Sequence, residues 1–256
     1  MEIMMKIEQK IEALIKGEMG KLHRPDLFRE PLVGFSSAKD YRYGKLKELI
    51  GDWHLHPLEI LPEADGIISY FIPFTKEVVE EPKTVKHGSP KWGESYVVIN
   101  EYFNQINHVI SKYIEEQGYQ AATIPATHTY DPKVLKSAWS HRSAAVIAGV
   151  GAFGANRLLI TEKGSGGRFC TVLTSAPLKG KDEPDEVRCL YLKNGTCGRC
   201  VEVCPVDALG LDGTFHKFDC QEELFKNERL MKVSLNLSGA DACGKCISVC
   251  PVAYLE

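Results

Sequence analysis

Two stretches near the C-terminal end, CGRCVEVCP (197–205) and CGKCISVCP (243–251), share the spacing C-x2-C-x3-C-P and form an internal repeat of one small binding unit. That spacing is the tail of a bacterial ferredoxin loop, C-x2-C-x2-C-x3-C-P, in which four thiolates hold a four-iron cluster. Each repeat is one thiolate short, and Asn194 stands where the first repeat's missing cysteine would fall. A lone cysteine precedes each repeat, Cys189 before the first and Cys220 before the second. In two-cluster ferredoxins the cysteine before the proline serves the other motif's cluster. That rule groups Cys189, Cys197, Cys200 and Cys250 on one cluster, and Cys220, Cys243, Cys246 and Cys204 on the other. Paired C-x2-C knuckles also build structural zinc sites, but zinc has no use for a third cysteine followed by proline, and here that element occurs twice. Two [4Fe-4S] clusters are the expectation.

Six of the nine cysteines fall in these two short clusters, the distribution of a metal site in a reducing compartment and not of a disulfide scaffold. The ninth, Cys170, lies in the strand-like RFCTVLT and reads as a buried small hydrophobe. With 256 residues, 44% hydrophobic and 25% charged, the chain is long and apolar enough for a sizeable core. Its net charge of −3 comes without a run of five like charges, which excludes a basic nucleic-acid stripe and an acidic tail. No apolar stretch approaches the roughly 20 residues of a membrane span. The start, MEIMMKIEQKIEALIKGEMG, mixes charges with aliphatics at helical spacing, unlike a signal peptide. The chain reads as soluble and cytoplasmic, with no membrane partner.

The repeats occupy one of two territories. Residues 1–180 alternate helical and strand patterns, an α/β domain, and residues 181–256 form a small ferredoxin-like domain with both clusters, so the class is α+β. SAPLKGKDEPDEV (175–187) reads as the linker. ADGIISYFIPF (64–74) reads as a buried strand. Apolar residues from Val98 to Ile114 keep one face of a helix over 96–117, which Gly118 ends. YQAATIPA reads as a second strand, residues 132–148 as a helix with proline in its first turn, and RLLIT with RFCTVLT as a hairpin around KGSGG. The acidic EVVEEP (77–82) reads as a solvated loop, His54 and His56 as a solvated turn before Pro57, and Trp92, Tyr96 and Tyr102 as core in preference to a stack on a planar ligand.

GVGAFG (149–154) satisfies G-x-G-x-x-G. A dinucleotide fingerprint must leave a strand and open a helix, and here a helical pattern precedes and a strand-like one follows. Nicotinamide binding is therefore not expected.

The run HRSAAVIAGVGAFGANRLLIT, then GGRFCTVLTSAPL, then the cysteine repeats, resembles the core of the epoxyqueuosine reductase family, with reductive dehalogenases as more distant relatives. HPLEILPEADGIISYFIPF and the isolated Cys220 fit the same likeness, which covers roughly residues 55–256. The resemblance implies a nitroreductase-like α/β domain that binds a corrinoid, cobalamin, fed with electrons by the double-cluster domain. It places Gly149, Gly151, Gly154 and Asn156 at the corrinoid. The chain departs from the family in three places. LYLKNGT displaces Cys189 from the first repeat, the family's tRNA-holding helical repeats do not follow Pro251, and the segment that carries the family's acidic residue, here THTYDPKVLKSAWSHR, does not match it residue by residue. Tyr130 or Asp131 could play the acid, with His128 and His141 equally placed.

Three readings of function follow. The first is an enzyme, a corrinoid-dependent oxidoreductase that reduces a small molecule with electrons from a donor protein. The second is a non-enzymatic electron-transfer or reductive-activation partner of another redox or corrinoid protein. The third is a minimal epoxyqueuosine reductase, against which the net charge and the missing repeats speak, so that tRNA is not expected as a partner.

Overall fold

The computed structural model describes residues 2–127, 129–180 and 185–256, so His128 and part of the expected linker lie outside the described residues. Helix α1 (Glu2–Leu22) is followed by strand β1 (Leu32–Ser37) and α2 (Tyr41–Ile50), whose first turn Asp40 caps by accepting from Arg42 N. A single turn, α3 (Pro57–Ile60), begins at His56, whose ring nitrogen accepts from Leu58 N while Glu59 closes a capping box. Strand β2 (Gly66–Pro73) comes next, then α4 (Lys76–Glu80) and the long α5 (Pro90–Glu116). Short β3 (Ala121–Thr123), β4 (Tyr130–Asp131) and β5 (Lys136–Ser137) lead to α6 (His141–Ile147). Strands β6 (Gly151–Phe153), β7 (Leu159–Thr161) and β8 (Gly167–Thr174) complete the first territory.

The main sheet is antiparallel throughout, in the order β1-β2-β8-β3, with Tyr70 opposite Cys170 at its centre. Every residue of β2 is buried. Ile68, Tyr70 and Ile72 pack with Ile11 and Ile15 of α1 and Ile99, Phe103 and Ile106 of α5. On the opposite face Ile67 joins Tyr43 and Leu46 of α2, and Phe71 joins Ala145 of α6 and Phe169. Helices thus cover both faces, which is why the sequence of β2 is a continuous apolar run without polar alternation. Cys170 is fully buried in this core.

Five local expectations are corrected. RLLIT and RFCTVLT do not pair: β7 pairs with β6, and β8 takes the central place between β2 and β3, where a strand apolar on both faces finds cover on both. The helix expected from Pro132 begins only at His141, because Ser140 caps it by accepting from Ser143 N, while Asp131 turns the chain by accepting from Lys133 N and β4 and β5 form a small ladder. Helix α5 starts six residues earlier than expected, at Pro90. EVVEEP is no solvated loop: Val78 and Val79 of α4 are buried against the core. The proposed linker is structured at its start, since Ala176 and Leu178 are buried.

The cysteine-bearing segment contains three single turns, α7 (Leu190–Asn194), α8 (Arg199–Glu202) and α10 (Lys245–Ser248), and the longer α9 (Lys217–Leu235). It packs directly on the first territory. Ile247 and Ala253 belong to the same core cluster as α1 and α5. Gly164 bridges to Tyr254, with a positive φ of 96° and the Ala253 backbone where a Cβ would sit, so only glycine fits. Gly244, between the first two cysteines of the second repeat, has φ 76°, and a Cβ there would run into the Trp92 ring and Pro82. Arg29 secures the chain end by donating from Nη1 to Leu255 O at 2.6 Å and by stacking 4.1 Å over the Tyr254 ring.

Candidate functional site

All nine cysteines are free thiols, and eight gather in two groups. Cys189 precedes α7, whose single turn ends at Gly195 in left-handed backbone and returns the chain toward Cys197. Asn194 is part of that turn and accepts from Thr196 N. Cys189, Cys197, Cys200 and Cys250 line one small void with Asn156 and Ile160. Burial, and then the neighbouring Cys189, Cys200 and Cys197, push the Cys250 thiol up to about 11. In the second group, burial followed by Cys243 and Cys204 pushes the Cys220 thiol up to about 11, and burial followed by Cys243 and Cys220 raises that of Cys246. Cys204 also accepts from Ala208 N at 3.2 Å. The cysteine before each proline therefore stands with the other repeat's thiols.

Burial, with like neighbours, makes the thiols of Cys200, Cys220, Cys246 and Cys250 resist ionisation until a cation joins them. Among the described residues no three Cys, His, Asp or Glu side chains converge on a point that a single ion could occupy. A lone zinc requires four ligands within about 2.3 Å of one centre. A [4Fe-4S] cubane, with irons at alternate corners, takes one thiolate per iron and needs no common point for its four ligands.

A cavity of about 590 Å³ opens between the two territories. Cys220, Cys243 and Gly244 form part of its wall, so the second cysteine group borders it. Facing them are aromatic side chains, Trp92, Tyr96, Trp139 and Phe169. Trp139 is held by donating from Nε1 to Thr171 Oγ1 at 2.9 Å and sits between Tyr43 and His54, with ring centroids 6.1 and 5.7 Å away. Four cations, Lys136, Arg142, Arg168 and Lys217, and one carboxylate, Asp241, also line it.

Of the acid candidates, Tyr130 is in the cavity wall and Asp131 is exposed outside it. Tyr130 Oη accepts from Gln221 Nε2 at 2.8 Å, and burial with nearby Asp241 raises its pKa. His141 also lines the cavity; its ring bonds to Thr171 Oγ1 at 2.8 Å and Pro125 O at 3.1 Å, and burial pushes it down to about 4. His54 is no solvated residue: it is 1% exposed, in the cavity wall, with neither ring nitrogen hydrogen-bonded, and burial lowers its pKa. Trp92 and Tyr96 are buried as core and still face the cavity, whereas Tyr102 packs toward α1 and donates to Glu18 O at 3.0 Å. Gly149, Gly151, Gly154 and Asn156 do not line it; Asn156 stands at the first cysteine group. Sequence reasoning missed Trp139, Arg142, Arg168 and Asp241, which share no motif and meet only through the fold.

Residues 188–254 match the model of the 4Fe-4S dicluster domain family. The chain is 27% identical over 209 residues to an epoxyqueuosine reductase of Lactococcus garvieae (strain Lg2), a match that covers 73% of this chain and 55% of that protein. It thus spans about half the length of the curated relative it matches. The structure of epoxyqueuosine reductase from Streptococcus thermophilus superimposes with a TM-score of 0.59 at 18% identity, covering 99% of this chain and 66% of that one. A catabolic reductive dehalogenase in complex with 3-bromo-4-hydroxybenzoic acid gives 0.58 at 17% identity, covering 87% and 30%. The comparisons support an epoxyqueuosine reductase-like iron-sulfur protein with that α+β fold.

Proposed function

We propose that this epoxyqueuosine reductase-like chain is a reductase in which electrons from a donor protein pass through two [4Fe-4S] clusters into the 590 Å³ cavity, where a corrinoid serves the reduction of a small molecule. The observation that carries this reading is the position of Cys220 and Cys243 in the cavity wall. A cluster held there lies against whatever the cavity holds, and iron-sulfur clusters transfer single electrons at potentials set by charge, hydrogen bonds and exposure.

The lining fits a large flat cofactor. Trp92, Tyr96, Trp139 and Phe169 offer aromatic faces, the cations offer polar anchors, and His54 brings two ring nitrogens without partners. A bound corrinoid would supply a cobalt centre that accepts electrons and acts as a strong nucleophile. The chain's own residues would bind, orient and protonate. Burial keeps Tyr130 protonated, which suits it to hold a proton at Oη, with Gln221 fixing the ring. His141 is neutral at physiological pH and bonded on both nitrogens, so it orients Thr171 and the Pro125 turn. A partner protein without a substrate pocket is the weaker reading, since it leaves the lined cavity without a use. Among the described residues no helix is long and apolar enough to cross a membrane, and the free thiols suit a cytoplasmic setting.

Anaerobic purification with iron, sulfide and cobalt analysis, followed by a cobalamin absorbance titration, tests the proposal. About eight irons per chain and a saturable spectral change support it. Eight irons without a cobalamin response would leave a ferredoxin-like partner protein. Saturable binding of an anticodon stem-loop at low salt, where the electrostatic term is strongest, would replace the small-molecule substrate with tRNA.

A further inference from the structure

We infer that Arg142 and Arg168 form an oxyanion subsite in the cavity, one that takes a carboxylate or phosphate group; this rests on the reading of the cavity as the binding site. Both arginines line the cavity. Arg142 donates from Nη1 to Arg157 O at 3.0 Å, and Arg168 from Nε to Asn100 Oδ1 at 3.1 Å, with its guanidinium 4.4 Å over the Tyr96 ring. These contacts fix the side chains and leave most of their donors unused. Among the described residues neither arginine has a carboxylate partner. The guanidiniums of Arg24, Arg42 and Arg188 differ: Arg24 pairs with Asp26 and Glu94, Arg42 with Asp40, and Arg188 with Asp185.

The charge of the lining argues the same way. Lys136, whose Nζ stands 3.6 Å over the Trp53 ring, and Lys217 add to the two arginines, against the single carboxylate of Asp241. His54 and His141 contribute no charge, since burial keeps both neutral. A positive recess in a chain of net charge −3 concentrates anions from solution. An anion between the two guanidiniums would offset their mutual repulsion. Arginine forks match the planar geometry of carboxylate and phosphate.

Arg142 also lies near Cys246, so a bound cluster would share its field. Arg168 is the cleaner probe. The experiment uses cluster-loaded protein without corrinoid, at low ionic strength, titrated with inorganic phosphate and with benzoate while tryptophan fluorescence and heat are followed. Saturable binding is expected, weakened roughly tenfold or more by Arg168→Gln and by Arg142→Gln, less by Arg168→Lys, and not at all by Arg229→Gln on the exposed side of α9. Absence of saturable anion binding overturns the inference. So does an unchanged affinity in Arg168→Gln, and a shift of cluster potential in Arg142→Gln with anion affinity unchanged would assign the arginine to the cluster instead.

Two sources share this chemistry, the phosphate of the corrinoid's nucleotide arm and an anionic substrate. If Arg168→Gln weakens binding of cobalamin but not of cobinamide, which lacks that phosphate, the corrinoid is the source. If both corrinoids bind the variant as they bind the parent, and phosphate or benzoate still binds the corrinoid-loaded parent, the substrate is. Anion binding that persists in a protein with no affinity for any corrinoid would sink the corrinoid reading and leave the subsite standing.

Discussion

The side-chain amide of Asn156 donates to the carbonyl oxygen of Cys246 at 3.3 Å, while its Oδ1 accepts from Leu158 N at 3.2 Å. One buried side chain from the loop after β6 thus holds a cysteine of the second group and stands in the lining of the first. Asn156→Ala leaves a carbonyl and an amide without partners, at a cost of about 1–3 kcal/mol. Thermal melts are expected to fall accordingly, and a ferrous chelator to strip iron faster. Unchanged release kinetics would detach Asn156 from the cluster loop.

Crossed ligation has a direct signature. Cys250→Ser removes a ligand from the group of Cys189, Cys197 and Cys200, and Cys204→Ser one from the group of Cys220, Cys243 and Cys246. Each variant is expected to keep about four of about eight irons, with different electron paramagnetic resonance signals remaining. If Cys250→Ser instead abolished the signal that Cys246→Ser abolishes, ligation would run within each repeat.

Tyr130 and Asp131 are adjacent in sequence and differ in place, one in the cavity wall and the other outside it. If Tyr130 is the proton donor, Tyr130→Phe is expected to slow reduction about a hundredfold, with iron content and cobalamin affinity unchanged. Asp131→Asn is expected to leave the rate as it was. A rate loss confined to Asp131→Asn would move the acid off the tyrosine.

His141 gives stability a pH dependence whose sign is fixed by burial. The folded chain takes up this proton only near pH 4, the unfolded chain near the ordinary 6.5. The contribution is therefore whole above about 6.5 and is lost as pH falls toward 4. Melting temperature is expected to drop over that interval, and less steeply in His141→Gln. Parallel curves for the two proteins would mean that the ring is charged when folded.

Arg29 joins the chain end to the first territory through the carbonyls of Phe74, Lys163 and Leu255 and its contact with Tyr254. Arg29→Met is expected to cost about 2–3 kcal/mol and to raise hydrogen exchange at residues 253–256 first. Exchange rising uniformly would show that the two territories open together.

The dicluster character of the C-terminal segment was legible in the sequence because ligand spacing is local. The central strand was legible too, for an apolar run such as GIISYFIP reports burial on both faces wherever its partners come from. The place of RFCTVLT was not: its own residues state that it is buried, but whether its neighbour is RLLIT or β2 depends on long-range pairing. The start of α6 turned on a competition between Pro132 and Ser140, settled by the ladder of β4 and β5. His54 read as a turn residue because nothing near it in the chain reveals that Trp139, 85 positions later, covers its ring. Tertiary structure alone decided the cavity. Its cations, aromatics and cysteines come from α5, β5, α6, β8, α9 and the second repeat, and charge placed by distant segments leaves no periodic trace in the order of residues.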